Sequence, residues 1–239
     1  MISLRAPVPF PVGGIAVVFG ASGGIGRALA SRLTEQGDFD KVVRFSRGSV
    51  PAIDLLNEPS LEAAAIFASS QGPVRLVVDA TGFLHDNSVR PEKSWRGLEP
   101  SHMAKAFALN AIGPALIMKH MLPRLPRLGK SVFATLSARL GSIGDNRLGG
   151  WYSYRASKAA LNQLVRTAAI ELRRHQAEAI CVALHPGTVD TPLSAPFSKA
   201  DIDVQPPDIA AEHLLGVIAR LLPSDSGGFY DHRGEPVPW

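Results

Sequence analysis

Ile15-Ala16-Val17-Val18-Phe19 is an unbroken apolar run that leads straight into Gly20-Ala21-Ser22-Gly23-Gly24-Ile25-Gly26. Continuous apolarity over five residues predicts a strand buried on both faces, the kind found inside parallel sheets. A helical pattern follows, with Ile25, Ala28, Leu29 and Leu33 on one face and Gly37 as its stop. Strand, glycine turn and helix in that order restrict the fold sharply. Glycines let the backbone approach a pyrophosphate, and the helix start offers free N–H groups at the positive end of its dipole. The spacing of Gly20, Gly24 and Gly26 is G-x-x-x-G-x-G, not the G-x-G-x-x-G of other dinucleotide folds.

The rest of the chain repeats the strand–helix alternation. Lys41–Ser46 reads as a strand, followed by a short Val50–Ile53 segment and a helix over 58–70. Arg75–Asp79 is the next strand, Phe83–Pro100 a loop, and 101–121 a helix with Asn110 in its middle, where Asn is a poor helix former. A bent backbone or a held water would account for Asn110. Lys130–Ser137 is a strand, 141–150 a glycine-rich segment, and 153–175 a helix that is apolar or small nearly all round, as though covered on two sides. Ala179–Leu184 is the sixth strand, 208–222 the last helix, and Gly228–Tyr230 a final short strand. The alternation predicts an α/β fold: one doubly wound parallel sheet of about seven strands with helices on both faces. Residues 1–239 read as one domain, with 1–12 an extended arm and 190–206 a mobile lid over the substrate.

Composition removes several classes of function. The formal net charge of +4 is spread without a basic run, and Arg173-Arg174-His175 sits where cations suit a helix end, so nucleic acid is not an expected partner. No stretch reaches the roughly 18 apolar residues of a membrane span. The single cysteine, Cys181, lies in an apolar run and reads as a buried thiol in a reducing compartment, with the cytoplasm the default. The seven histidines show no ligand spacing, so no metal is expected and solvated or capping roles are assigned to them.

Ligands of such sheets bind beyond the carboxyl ends of the strands. The glycine turn, Ser46-Arg47, Asp79–Gly82, Ser137 and Pro186–Thr191 all fall there. A carboxylate about 20 residues past the glycine motif would bond the ribose 2′-hydroxyl of NAD. Ser46 and Arg47 stand in its place and suit a 2′-phosphate, which favours NADP(H) and leaves NAD(H) possible. Tyr154 and Lys158, four apart on the long helix, share one face and can act as a phenol–ammonium acid/base unit.

With Gly20/Gly24/Gly26, Asp54-Leu55, Gly82, Asn110, Ser137, Tyr154-x-x-x-Lys158 and Pro186-Gly187 in this order and spacing, the chain resembles the short-chain dehydrogenase/reductase family over essentially its whole length. The resemblance implies a Rossmann-type domain that moves a hydride between a nicotinamide cofactor and a carbonyl or secondary alcohol. By the same resemblance Tyr154 would be the acid/base at the substrate oxygen. Lys158 would bond the nicotinamide ribose and, with the oxidised ring, lower the phenol's pKa. Ser137 would orient the substrate, and Asn110 would hold a water linking Lys158 to solvent. Gly20, Ser22, Gly24, Ile25 and Gly26 would take the pyrophosphate, with Ser46 and Arg47 on the adenosine ribose. Asp54 and Leu55 would meet the adenine edge, and Ala80, Thr81 and Gly82 the adenosine side. Pro186, Gly187, Val189 and Thr191 would line the nicotinamide. Separately, the two-sided apolarity of the two alanine-rich helices, around Asn110 and around Ser157–Leu172, suggests a homodimer or homotetramer.

Two stretches depart from the family pattern. Phe19 stands where Thr is frequent, and Asp79-Ala80-Thr81-Gly82 replaces Asn-Asn-Ala-Gly, adding a negative charge close to the cofactor's phosphates. The ending Gly228-Phe229-Tyr230-Asp231, Gly234, Pro238-Trp239 resembles small members of the C-factor signalling type, so a cofactor-binding sensor with vestigial catalysis is the alternative function. Leu140, Ile143, Trp151 and Phe197 suggest an apolar substrate pocket. The substrate's identity is not legible in these residues.

Overall fold

A computed structural model describes residues 2–197 and 204–239. Its main sheet has six parallel strands: β1 (Ile15–Phe19), β2 (Lys41–Phe45), β3 (Val74–Asp79), β4 (Ser131–Leu136), β5 (Ala179–His185) and β8 (Phe229–Asp231). They lie in the order β2-β1-β3-β4-β5-β8. Helices α1 (Gly24–Gln36), α2 (Glu58–Ser70), α3 (Pro100–Phe107), α4 (Gly113–Met121), α5 (Tyr152–His175) and α6 (Pro207–Arg220) cover both faces.

The strands show why apolar runs rather than alternation marked them. Successive residues of a strand point to opposite faces. Ile15, Val17 and Phe19 enter a core shared with α2, α4 and α5, while Ala16 and Val18 enter a second core under α1 and α6. All five β1 residues are buried. Helix α1 buries Leu29, Ala30 and Leu33 and ends where Gly37 takes a left-handed φ of 70°. Cys181 lies fully buried in β5, where burial pushes its thiol up to about 12, as expected for an inert core residue.

Three sequence expectations are corrected. The main sheet has six strands against about seven, because Val50–Ile53 folds back in a turn where Ile53 N–H donates to the Ser46 carbonyl (3.0 Å). A small second sheet instead pairs β6 (Thr188–Val189) with β7 (Val204–Gln205). The N-terminal arm is not extended throughout: Ile2–Leu4 is a 3-10 turn that buries Ile2, and Arg5 pairs with Asp225 at 2.5 Å. The expected helix over 101–121 is two helices joined by a π turn, Ala108–Ile112, centred on Asn110. The lid expectation falls partly on residues 198–203, which lie outside the described residues; before them Ala195–Phe197 is a 3-10 turn.

Candidate active site

The glycine turn is built so that side chains cannot fit. Gly20 has φ 77°, and a Cβ there would stand 2.9 Å from the Ala80 carbonyl oxygen. A Cβ on Gly26 would lie 2.2 Å from the Gly20 carbonyl oxygen, and one on Gly24 2.6 Å from Thr191 Cγ2. Helix α1 starts at Gly24 after Gly23, which supplies no side-chain cap, so its first-turn N–H groups stay available to an anion. Ser22 is exposed on this turn, Ile25 is half-buried, and Arg27 projects to solvent from the first helical turn. These contacts bring Thr191 over the turn and Ala80 beneath it.

At the end of β2, Arg47 is exposed, and Ser46 Oγ accepts from Gly48 N–H (3.2 Å). Asp54 accepts from Leu56 N–H (2.9 Å), and Leu55 packs where a Cβ on Gly113 would clash at 2.8 Å. Asp79, the departure at the end of β3, is completely buried. Its carboxylate accepts from Thr81 N–H (3.0 Å), Thr81 Oγ1 (2.6 Å) and Thr135 Oγ1 (2.7 Å). Burial nevertheless raises its pKa, with these bonds and the Lys158 charge opposing. The charge thus faces into the sheet, bonded by two threonines.

Helix α5 carries Tyr154 and Lys158. Lys158 is 3% exposed and donates through Nζ to the Leu136 carbonyl (2.8 Å), which leaves two of its three N–H donors uncommitted. Burial holds it down at about 8, opposed by the Asp79 charge. A Cβ on Gly82 would stand 3.9 Å from both Lys158 Nζ and Asn110 Oδ1, so the backbone at the end of β3 borders the ammonium. The Tyr154 phenol is pushed up to about 12 by burial. This is opposite in direction to the lowering expected with cofactor present, and it defines what a bound cation must overcome.

Two expected partners are differently engaged. Ser137 donates its one hydroxyl proton to Asn162 Oδ1 (2.7 Å), so it must turn to donate to a substrate oxygen. Asn110 spends both amide N–H groups, on the Phe83 carbonyl (2.8 Å) and on Ser157 Oγ (3.1 Å), and accepts from Phe83 N–H (2.7 Å). The amide N–H groups therefore have none left for a water; the side chain clamps the strand-end loop to α5. Ser157 in turn donates to the Tyr154 carbonyl (2.8 Å).

Pro186 and Gly187 follow β5, and Gln205 Nε2 donates to the Pro186 carbonyl (2.5 Å). Gly187 is left-handed (φ 79°), with a Cβ position 3.2 Å from the His232 ring, and Val189 is buried. The histidines are not all scattered: the rings of His185, His232 and His213 follow one another at 6.5 and 5.7 Å. Burial, the Arg139 charge and His232 hold His185 down at about 4. Among the described residues no group of three or more His, Cys, Asp or Glu side chains converges as a metal site. Of the expected apolar pocket, Trp151 and Phe197 meet at 5.1 Å between ring centroids, whereas Ile143 is 78% exposed.

Sequence reasoning missed Asn162, Thr135 and Glu92. Asn162 lies four residues past Lys158 on the same helical face, a spacing that could have found it. Nothing local marks Glu92, which reaches the start of α5 from a loop 61 residues away.

A family model described as short chain dehydrogenase matches residues 14–201. C-signal of Myxococcus xanthus is 40% identical over 137 residues, 57% of this chain and 78% of that protein. A 1-hydroxy-2-glutathionyl-2-methyl-3-butene dehydrogenase of Rhodococcus sp. (strain AD45) is 29% identical across 93% of this chain and 98% of its own. In fold, the chain is similar to an NADPH-bound carbonyl reductase from chicken fatty liver, with TM-score 0.83, 24% identity and 96% of each chain covered. A Burkholderia multivorans short-chain dehydrogenase/reductase structure with bound NADP gives TM-score 0.77 at 24% identity, covering 95% of this chain and all of that one.

Proposed function

Since the chain belongs to the short chain dehydrogenase family, we propose that it is an NADP(H)-dependent oxidoreductase acting on a carbonyl or secondary alcohol, with Tyr154 as the acid/base. The observation that carries this is a buried lysine with two spare donors, four residues from a half-buried phenol, at the same end of the sheet as a glycine cradle too tight for any Cβ.

The residues fit the cofactor. The α1 N-terminus with Gly20, Ser22, Gly24, Ile25 and Gly26 would hold the pyrophosphate, and Ser46 and Arg47 the 2′-phosphate. Asp54, Leu55, Ala80, Thr81 and Gly82 would border the adenosine, and Pro186, Gly187, Val189 and Thr191 the nicotinamide. NADP(H), when bound, supplies or accepts the hydride and, oxidised, presents a cationic ring. In the direction of reduction Tyr154 Oη gives its proton to the carbonyl oxygen. Lys158, held near 8, bonds the ribose through its two remaining N–H groups and stabilises the phenolate left behind. Ser137 turns from Asn162 to hold the substrate oxygen. Asn110 fixes the loop that borders the ammonium.

Tyr154→Phe should abolish turnover while NADPH still binds with near wild-type affinity; activity retained within a few-fold overturns the assignment. A second reading is favoured by the 40% identity to C-signal: a cofactor-binding signalling protein with vestigial catalysis. NADPH binding with no turnover on any carbonyl in a broad panel would select it.

We place the chain in the cytoplasm as one domain with residues 190–206 as the substrate lid. Supporting the location are a lone buried thiol and the lack, among the described residues, of any helix long and apolar enough to cross a membrane; cell fractionation checks it. A homo-oligomer is supported by a 580 Å³ groove between α4 and α5 that is lined in part by Ala115, Leu122, Leu164 and Ala168, with Leu164 exposed in it. A monomeric mass in light scattering overturns that assembly.

A further inference from the structure

Trp151, immediately before α5, breaks two local rules at once. Its backbone is left-handed (φ 54°, ψ 42°), and among the described residues it is the one non-glycine with positive φ. It also occupies the N-cap position, where a small polar side chain normally bonds the first helical N–H groups. A bulky residue in this region is strained and persists only where its surroundings over-determine it.

They do so here from two directions. Gly149 (φ 64°) and Gly150 (φ 67°) bring the chain in left-handed, and Arg155 reaches back from α5 to hold three carbonyls. These are Gly150 O (3.0 Å), Gly149 O (3.2 Å) and Leu140 O (3.3 Å). On the other side Glu92, 6% exposed, supplies the missing cap: its carboxylate accepts from Ser153 N–H (3.2 Å) and from Ser153 Oγ, and its carbonyl from Trp151 N–H (2.6 Å). With capping delegated to Glu92, position 151 is free to carry an indole.

The indole's neighbours say what it is for. Three residues before Tyr154, it lies on the same side of the helix, with ring centroids 6.1 Å apart and nearly perpendicular. Phe197 packs edge-on to it at 5.1 Å, and His85 on Phe197 at 5.2 Å. His85 Nε2 lies 3.3 Å from the Pro192 carbonyl, joining the 83–100 loop to the start of the lid. Phe197 and His85 also line a 350 Å³ cavity whose rim includes Asn87 and Arg90. The Tyr154 ring thus packs against the indole, which in turn meets Phe197, the ring at the wall of the neighbouring cavity.

We propose that Trp151, backed by Phe197, is the substrate-selecting wall of the site, and that it favours carbonyl compounds with a flat aromatic group directly on the carbonyl carbon, which pack against indole better than a saturated ring of equal size. Trp151 selects and does no chemistry; Arg155 and Glu92 are positioning residues. This rests on the oxidoreductase reading above, and its test separates the two.

The test compares NADPH-dependent reduction of acetophenone and cyclohexyl methyl ketone, matched in size but not in flatness. Wild type should prefer acetophenone in kcat/KM. Trp151→Gly removes the ring while suiting the left-handed backbone, so the variant should fold, with NADPH affinity unchanged. It should lose about tenfold in kcat/KM for acetophenone, mainly through KM, and stay within about threefold for the cyclohexyl ketone. Trp151→Phe should recover part of the loss. Equal losses on both ketones, or none on either, overturn the proposal. Should wild type reduce neither, the oxidoreductase reading fails on these substrates, and saturation-transfer NMR of acetophenone decides about the wall: binding lost in Trp151→Gly sustains it, and binding unchanged or absent in wild type overturns it.

Discussion

Replacing Lys158 with Met should stabilise the protein at neutral pH while abolishing turnover, and the gain should vanish as pH rises. Lys158 is 3% exposed and its pKa falls from 10.5 to about 8, with burial the main cause. At about 1.36 kcal/mol per pH unit, keeping the ammonium charged costs about 3 kcal/mol at pH 7. Methionine fills similar volume without a charge but leaves the Leu136 carbonyl unpaired, which returns about 1–3 kcal/mol. The net gain at pH 7 is therefore small, and its pH dependence is the sharper observable. Between about 8 and 10.5 the unfolded chain holds a proton on Lys158 that the native protein has released. Wild-type stability must then rise with pH, by about 2.5 kcal/mol from pH 7 to 10 relative to the methionine variant. Tyr154, raised to about 12, acts in the opposite sense only above about pH 10, outside this range. Urea unfolding of both proteins at several pH values measures the difference. A stability difference independent of pH refutes the argument, and two non-coincident transitions would overturn the one-domain reading.

Arg47→Asp should raise the KM for NADPH about 10- to 100-fold, as expected for losing a charge-assisted phosphate bond, while the KM for NADH changes little; equal effects would remove Arg47 from the cofactor site. Gly26→Ala places a Cβ 2.2 Å from the Gly20 carbonyl oxygen. Relieving that overlap should cost about 1–3 kcal/mol, lower Tm by several degrees and weaken NADPH binding about tenfold or more; unchanged Tm and affinity would show that the turn yields freely.

How far these properties can be read from sequence depends on the distance over which each is determined. The first β–turn–α unit was legible because Ile15–Phe19 is apolar on both faces and Gly20, Gly24 and Gly26 are each dictated by a neighbour within the same motif or directly across it. That Tyr154 and Lys158 share one helix was legible for the same reason, since they lie four residues apart in a continuous helical pattern. Asp79 reads from sequence as a negative charge near the phosphates; its carboxylate is buried and bonded by Thr81 and by Thr135, 56 residues on. Periodicity predicted one helix over 101–121 because both halves keep an apolar face; the π turn between them registers only as an oddly placed Asn. The Glu92 cap of α5 and the meeting of His185, His213 and His232 arise from chain crossings that no local pattern encodes.

The π turn at Ala108–Ile112 also has a bearing on which length changes this segment tolerates. A π turn holds one more residue than the α-helical turn it replaces, and one residue rotates the downstream helix by about 100°. Its segment and α3 pack on α5, whereas the main neighbour of α4 is α2. The additional residue thus acts as an angular spacer that lets a single rod present one apolar stripe to α5 and another to α2. A chain one residue shorter here would have a more regular helix and lose at most one small part of its apolar face. It would aim Asn110 away from Phe83 and Ser157, or α4 away from α2, so a shift of register along the rod would do more harm than most substitutions on its surface.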